Sequence, residues 1–182
     1  MKKICIPLAN GFEEVEAVTI IDICRRAEIE VTIAGVEGLI ISGSHNIKVT
    51  ADIEIQNINP NEFDMIVLPG GLPGAETLAN SPIVQKILKE QKSKNGLIGA
   101  ICAAPYALHK AGVLDGEYTC YPSWENKINV DNYQSDENIV TDGNIITSKG
   151  VGTSLCFALE LVKILKGPKV YRDISNAVLA DC

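Results

Sequence analysis

Gly96-Leu97-Ile98-Gly99-Ala100-Ile101-Cys102-Ala103-Ala104-Pro105 is the stretch on which the fold turns. Its first six residues are a short apolar run of the length and composition of a buried strand. Residues 103–110 predict a helix. A cysteine at a sharp strand-to-helix turn sits at the carboxyl edge of a parallel sheet, where open α/β folds place ligands. It also sits at a helix N-terminus, where unpaired N–H groups and the helix dipole favour a thiolate. Ala100 and Ala104, two residues before and two after Cys102, are both small. A nucleophile elbow requires that, because strand and helix approach closely on either side of the nucleophile. The alternative for Cys102 is the common fate of a free cysteine, an inert place in the core.

The surrounding chain is consistent with one α/β domain over residues 1–182. Its 182 residues suffice for a sizeable core, and 46% are hydrophobic. A net charge of −7 leaves no basic excess to neutralise phosphates, so strong nucleic-acid binding is not expected. No apolar run approaches the ~20 residues of a membrane span. Residues 4–9 are apolar, but Asn10-Gly11 and an acidic cluster follow, so they predict a first strand and not a signal peptide. The six cysteines, at 5, 24, 102, 120, 156 and 182, form no C-x-x-C pair, and there are only two histidines. No metal site is expected, and reduced thiols in a cytoplasmic protein are. Cys5, Cys24, Cys120 and Cys156 fall in apolar segments and read as core; Cys182 is terminal.

Strand and helix patterns alternate from end to end. Strands are predicted over 3–9, 29–34, 64–69, 97–101, 118–121, 139–141 and 145–148, with a hairpin over 39–42 and 46–50. Helices are predicted over 13–27, within the stretch up to about 94, over 153–166 and over 170–180. Gly167-Pro168 ends the long apolar helix. The polar segment 123–137 reads as the longest loop. Buried strands alternating with helices predict a mostly parallel sheet covered on both faces.

The second chemical signal is a carboxyl group on an apolar face. Glu13 and Glu14, near the start of the 13–27 helix, complement its dipole. Glu16 does not fit that account. At ~100° per residue, Phe12, Ile20, Ile23 and Ala27 all fall within roughly 40° of it. The polar side carries Glu14, Asp22, Arg25 and Glu28. A buried carboxylate must find a partner or stay protonated, unless the side chain snorkels out or bonds a cap. The helix follows the first strand, so its start faces the same sheet edge as Cys102. A protonated carboxyl there can donate a hydrogen bond to a thiolate.

An isolated thiol is only ~3% thiolate at neutral pH, and lowering its pKa by two to three units makes the thiolate dominant. No imidazole is locally placed to assist. His109 lies seven residues after Cys102, roughly 10 Å down the same helix, and His45 falls in the hairpin. A Cys-His protease dyad is therefore disfavoured. Pro69-Gly70-Gly71-Leu72-Pro73-Gly74 follows a strand but is neither G-x-G-x-x-G nor Walker A. It reads either as a plain turn or as one whose free N–H groups face a substrate oxygen. Gly150-Val151-Gly152-Thr153-Ser154 opens the long helix, as an N-cap or an anion site.

Four stretches together resemble the ThiJ/PfpI superfamily, in the branch that includes the parkinsonism-associated protein deglycase. They are Asn10-Gly11-Phe12-Glu13-Glu14-Val15-Glu16, Val67-Leu68-Pro69-Gly70-Gly71, Ala100-Ile101-Cys102-Ala103-Ala104-Pro105 and Thr147-Ser148-Lys149-Gly150-Val151-Gly152-Thr153-Ser154. The resemblance implies a flavodoxin-like three-layer α/β/α sandwich and a homodimer. It implies a reactive, oxidation-prone Cys102, a protonated partner acid at Glu16, and an oxyanion pocket near Gly70, Gly71 and Ala103. It implies no cofactor. Three positions depart from relatives. Tyr121 stands where several have a pocket histidine. Ala103 stands where the protease-like branch has histidine, which argues against peptidase activity. His45 stands where some place an arginine that reaches the partner subunit's site.

These readings lead to a glyoxalase or deglycase acting on α-oxoaldehydes or their early adducts on amines and thiols. Cys102 would be the nucleophile and Glu16 the proton-sharing acid/base. The alternative is an oxidative-stress sensor or redox-regulated chaperone in which Cys102 is oxidised to sulfinic acid.

Overall fold

Alternation along the first strand sorts the core into two halves. In the computed structural model, which describes residues Met1–Cys182, β1 (Lys3–Leu8) is buried beyond Lys3. Ile4, Ile6 and Leu8 enter one apolar cluster and Cys5 the other. Side chains of a strand point alternately to its two faces, so a strand that is apolar at both parities is covered on both sides.

The chain continues through α1 (Glu14–Arg26), β2 (Glu30–Gly35), the hairpin β3 (Ile40–Ser42) and β4 (Lys48–Thr50), and the two-residue β5 (Ile53–Glu54). Then come β6 (Met65–Leu68), α2 (Gly74–Asn80), α3 (Pro82–Ser93), β7 (Leu97–Ile101), α4 (Pro105–Lys110) and α5 (Glu125–Ile128). β8 (Ile139–Asp142), β9 (Ile145–Ser148), α6 (Ser154–Lys166) and α7 (Pro168–Ala177) complete it. The main sheet has seven strands in the order β5-β2-β1-β6-β7-β9-β8, parallel except for β8 against β9. Helices α1, α6 and α7 cover one face, and α2, α3 and α4 the other. This is a flavodoxin-like three-layer α/β/α sandwich. The strand order reverses between β1 and β6, and in such sheets ligands bind in the crevice beyond the carboxyl ends of the strands at that point. No helix is long and apolar enough to cross a membrane.

Several expectations need correction. Residues 118–121 form no strand: Tyr118 makes only an isolated bridge to Tyr133 and is fully buried beside α4 and α5, while β8 takes the sheet edge. The expected loop over 123–137 contains α5, and the helix after Cys102 starts at Pro105, where proline's fixed φ suits a first helical residue. α7 likewise starts at Pro168, not at 170. The thiols are not all free. Cys156, half-buried and outside the core, is bonded to Cys182 with Cα atoms 5.6 Å apart. Cys5, Cys24, Cys102 and Cys120 are free.

Candidate active site

The carboxyl ends of β1, β6, β7 and β9, together with the turn between β3 and β4, supply the site. β7 ends at Ile101, and Cys102 follows with a left-handed φ of +65°. A non-glycine residue holds that conformation at a cost of about 1–2 kcal/mol, so neighbours must enforce it. They do so from both sides. Cys102 N donates to Ser148 O at the end of β9 (2.9 Å), and Cys102 O accepts from Tyr121 N (2.9 Å). The half-buried side chain is thereby turned out of the sheet toward the β1–β6 crevice.

Gly70 and Gly71 close that crevice after β6. A Cβ on Gly70 would sit 2.6 Å from Cys102 Cβ, 2.8 Å from Glu16 Oε2 and 3.1 Å from Cys102 Sγ, so only glycine leaves room for the pair. Gly70 O accepts from Glu13 N (2.9 Å), tying this loop to the start of α1.

Glu16 is fully buried on α1 among Phe12, Ile20, Ile23 and Ala27, the residues its helical phase selects. Its Oε2 accepts from Gly70 N at 2.8 Å. Oε1 is buried without a hydrogen bond of full geometry. Burial raises the carboxyl to about 7, against the Gly70 N–H and the Cys102 thiol, which lower it; the Glu13 charge adds to the rise. The acid is therefore poised to be half-protonated at neutral pH.

Cys102 departs from the lowered pKa that a helix end alone suggests. Burial, then the charge and hydrogen bond of Glu16, push the thiol up to about 12, against the N–H groups of Ala103 and Gly71. The helix end is not at the sulfur, because α4 begins only at Pro105. The pair is uncharged below about pH 7 and shares one negative charge above it. With the proton on Glu16, its charge no longer opposes the thiol. The Ala103 and Gly71 N–H groups, neither of which donates to a backbone carbonyl, then work against burial to lower the thiol.

A cavity of about 410 Å³ opens over the sulfur, with Gly71, Ala103, Tyr121, Trp124 and His45 in its walls. Tyr121 is 51% exposed at the rim. A larger groove, about 630 Å³, lies between α1, α6 and the end of α7 among Val18, Ile23, Leu155 and Val178, and holds no nucleophile.

Two features escaped sequence reasoning. Glu14 was placed on the polar side of its helix, yet it is only 5% exposed. The hairpin loop covers it: Glu14 Oε1 accepts from His45 N (2.7 Å) and Ile47 N (3.3 Å), and Oε2 meets His45 Nδ1 at 3.0 Å and Ser44 Oγ at 3.1 Å. Burial opposes its charge, but the His45 ring and the backbone N–H groups of Glu14, His45 and Ile47 outweigh it and hold the carboxyl down at about 2. His45 therefore lies in the wall of its own chain's Cys102 cavity. The donor atoms of Glu13, Glu14 and His45 come within 4.8 Å of one another, but both Glu14 oxygens are already taken up by these hydrogen bonds. His109 ends α4, half-buried and stacked on Tyr106, away from the cavity.

A flavodoxin-like sheet with a cysteine elbow at its switch point and a buried acid beside the sulfur defines a narrow class of α/β proteins. The chain belongs to the DJ-1/PfpI family, whose pattern matches residues 2–164. It is 39% identical to protein dj-1beta of Drosophila melanogaster over 181 residues, covering 98% of this chain and 97% of that protein. It is 35% identical to the glutathione-independent glyoxalase DJR-1.2 of Caenorhabditis elegans over 158 residues, 86% of this chain and 84% of that one. Two Arabidopsis thaliana DJ-1 homologues are longer, and the chain spans 41% and 46% of them. The crystal structure of Drosophila melanogaster DJ-1beta superposes with a TM-score of 0.95 at 38% identity, covering 100% of this chain and 99% of that one. Toxoplasma gondii DJ-1, described as oxidized, gives 0.94 at 35% identity with both chains fully covered.

Proposed function

We propose that the chain is a cofactor-independent enzyme of small α-oxoaldehydes, methylglyoxal or glyoxal, or of their early adducts on amines and thiols. The observation that carries this is the Glu16–Cys102 pair beneath the unoccupied N–H groups of Gly71 and Ala103. The family includes a protein named a glutathione-independent glyoxalase, which supports it.

The sulfur adds to the aldehyde carbon, and the Gly71 and Ala103 N–H groups hold the new oxyanion. Glu16 gives that oxygen its proton and, now a carboxylate, takes the hydrogen from the same carbon. The proton returns to the second carbon and the hydroxyl proton of the first passes to the second oxygen, leaving a 2-hydroxyacyl thioester on Cys102. Water then cleaves the thioester. The sum is one oxoaldehyde plus one water giving lactate or glycolate, with no outside oxidant or reductant.

Lactate formation from methylglyoxal is the test. Cys102→Ser should abolish it, and Glu16→Gln should lower kcat by about 10²–10⁴. Full activity in both variants would remove the basis of the proposal.

A second reading uses the same donors. The Gly71 and Ala103 N–H groups and a protonated Glu16 would also hold a Cys102 sulfinate, and a structural relative is described as oxidized. Intact and peptide mass after mild peroxide decides this: it predicts a two-oxygen adduct at Cys102 ahead of Cys5, Cys24 and Cys120. The homodimer that the resemblance implies is likewise a proposal. Val15 and Val18, half-exposed on one face of α1, support it, and sedimentation equilibrium tests it.

A further inference from the structure

Catalysis on an oxoaldehyde has two ends, and the Cys102–Glu16 pair serves only the first carbon. The oxygen on the second carbon gains negative charge when the first carbon loses its hydrogen, and no group described so far meets it. Tyr121 stands at the rim, half-exposed, with no hydrogen bond that orients its hydroxyl. A better-suited group stands in the same cavity wall.

His45 is held as a working imidazole is held. Its Nδ1 lies 3.0 Å from Glu14 Oε2 and 3.0 Å from Ser44 Oγ. Its backbone N–H donates 2.7 Å to the other oxygen of the same carboxylate. One buried anion thus fixes the loop and the ring together. A carboxylate on Nδ1 sets the tautomer and leaves Nε2 free. The ring itself is largely exposed, 71%, and lines the cavity that contains Cys102, Gly71 and Ala103.

We propose that His45, oriented by Glu14, is a catalytic residue of this site: its Nε2–H donates to the oxygen on the second carbon of a 1,2-dicarbonyl substrate. This rests on the oxoaldehyde reading above. As Glu16 takes the hydrogen from the first carbon, the electron pair forms the carbon–carbon double bond. The second carbonyl becomes an enol by taking the His45 proton. The hydroxyl on the first carbon then returns a proton to His45 Nε2 as its carbonyl reforms, and Glu16 delivers its proton to the second carbon. His45 and Glu16 both end as they began. The arrangement also selects substrates: a simple aldehyde has no second oxygen to reach His45.

The surroundings favour the protonated ring. The Glu14 hydrogen bond, then the charges of Glu13, 3.8 Å away, and Glu14, raise it above its usual range. Glu13, Cys102 and Tyr121 line the cavity with His45, Glu16 lies buried behind Cys102, and no lysine or arginine lines it. Activity that needs the protonated imidazole falls as pH rises through its titration.

The experiment compares wild type, His45→Gln and His45→Arg by two readouts. The first is kcat and KM for lactate formation from methylglyoxal across pH. The second is the ratio of rates at which anionic iodoacetate and neutral iodoacetamide modify Cys102, read by peptide mass. Wild type should lose kcat on the alkaline side. His45→Gln should lose about 10²-fold in kcat at neutral pH and that alkaline limb with it, yet react with iodoacetamide within twofold of wild type. His45→Arg should restore KM but not kcat, because a guanidinium does not give up its proton. The iodoacetate-to-iodoacetamide ratio should fall several-fold with rising pH in wild type and stay flat in both variants. An active wild type with a His45→Gln variant that keeps kcat within threefold and the same pH profile overturns the role of His45 alone. A wild type that forms no lactate overturns the oxoaldehyde reading and this one with it.

Discussion

Glu16→Gln should make the protein more stable, and only at the alkaline end. Glu16 is fully buried on the apolar face of α1, and burial raises its carboxyl from 4.5 to about 7. That displacement corresponds to about 3 kcal/mol. Its sign follows from which state holds more protons. Between pH 4.5 and 7 the folded protein keeps the Glu16 proton and the unfolded chain has released it. Stability contributed by this group is therefore complete below pH 4.5 and declines as pH rises through 7. Glutamine keeps an oxygen for the Gly70 N–H, 2.8 Å away, and carries no charge to bury. Urea unfolding of wild type and variant at pH 5 and pH 8 gives the comparison. The gain for Glu16→Gln at pH 8 should exceed that at pH 5 by about 2.5 kcal/mol, while lactate formation collapses. A difference between the two proteins that does not change with pH would refute a charge buried without full compensation, and with it the account of Glu16 as a poised acid.

Two further outcomes follow from the geometry. Gly70→Ala puts a methyl 2.6 Å from Cys102 Cβ and 2.8 Å from Glu16 Oε2; iodoacetamide reactivity of Cys102 and lactate formation should fall together while far-UV circular dichroism is unchanged, and reactivity at the wild-type rate would show the pair is not in contact there. Cys156→Ser removes a bridge closing 26 residues and should cost about 3 kcal/mol in melts without reductant but little with it; identical melts of wild type with and without reductant would mean the bridge does not form.

The parts legible in the sequence are those set by local pattern. Residues 97–101 and Cys102 declare a strand and an elbow because an apolar run, a small-residue frame and Pro105 are contiguous. Glu16 was placed by phase alone, since Ile20, Ile23 and Ala27 belong to the same helix and turn to the same core cluster. Glu14 failed for the complementary reason. Helical phase places it correctly away from the sheet, but what buries it is the turn between β3 and β4, about thirty residues on in sequence, through the N–H groups of His45 and Ile47. Periodicity has no access to such a partner. The Cys156–Cys182 bridge is of the same kind: α7 must double back along α6 before residue 182 comes near residue 156. The 118–121 segment misled by composition, since its β-prone residues 118–120, buried against α4 and α5, need no sheet neighbour.

Glu14 and Glu16 stand two residues apart on one helix, and both are buried. Their carboxyl groups nevertheless titrate at about 2 and about 7. The difference is the number of donors. Glu14 meets two backbone N–H groups of the hairpin loop, a serine hydroxyl and an imidazole. Glu16 meets one backbone N–H and a thiol, and one of its oxygens has no full partner. A carboxyl that is always charged cannot carry a proton at neutral pH, but it can hold an imidazole in place. One that is half-charged can pass a proton to and from a sulfur or a carbon. Environments that split two acids in this way mark out an orienting group and a proton-transfer group. Each acid is also joined to a different wall of one cavity, Glu14 to the hairpin and Glu16 to the elbow. Helix α1 therefore fixes the spacing between His45 and Cys102 across that cavity.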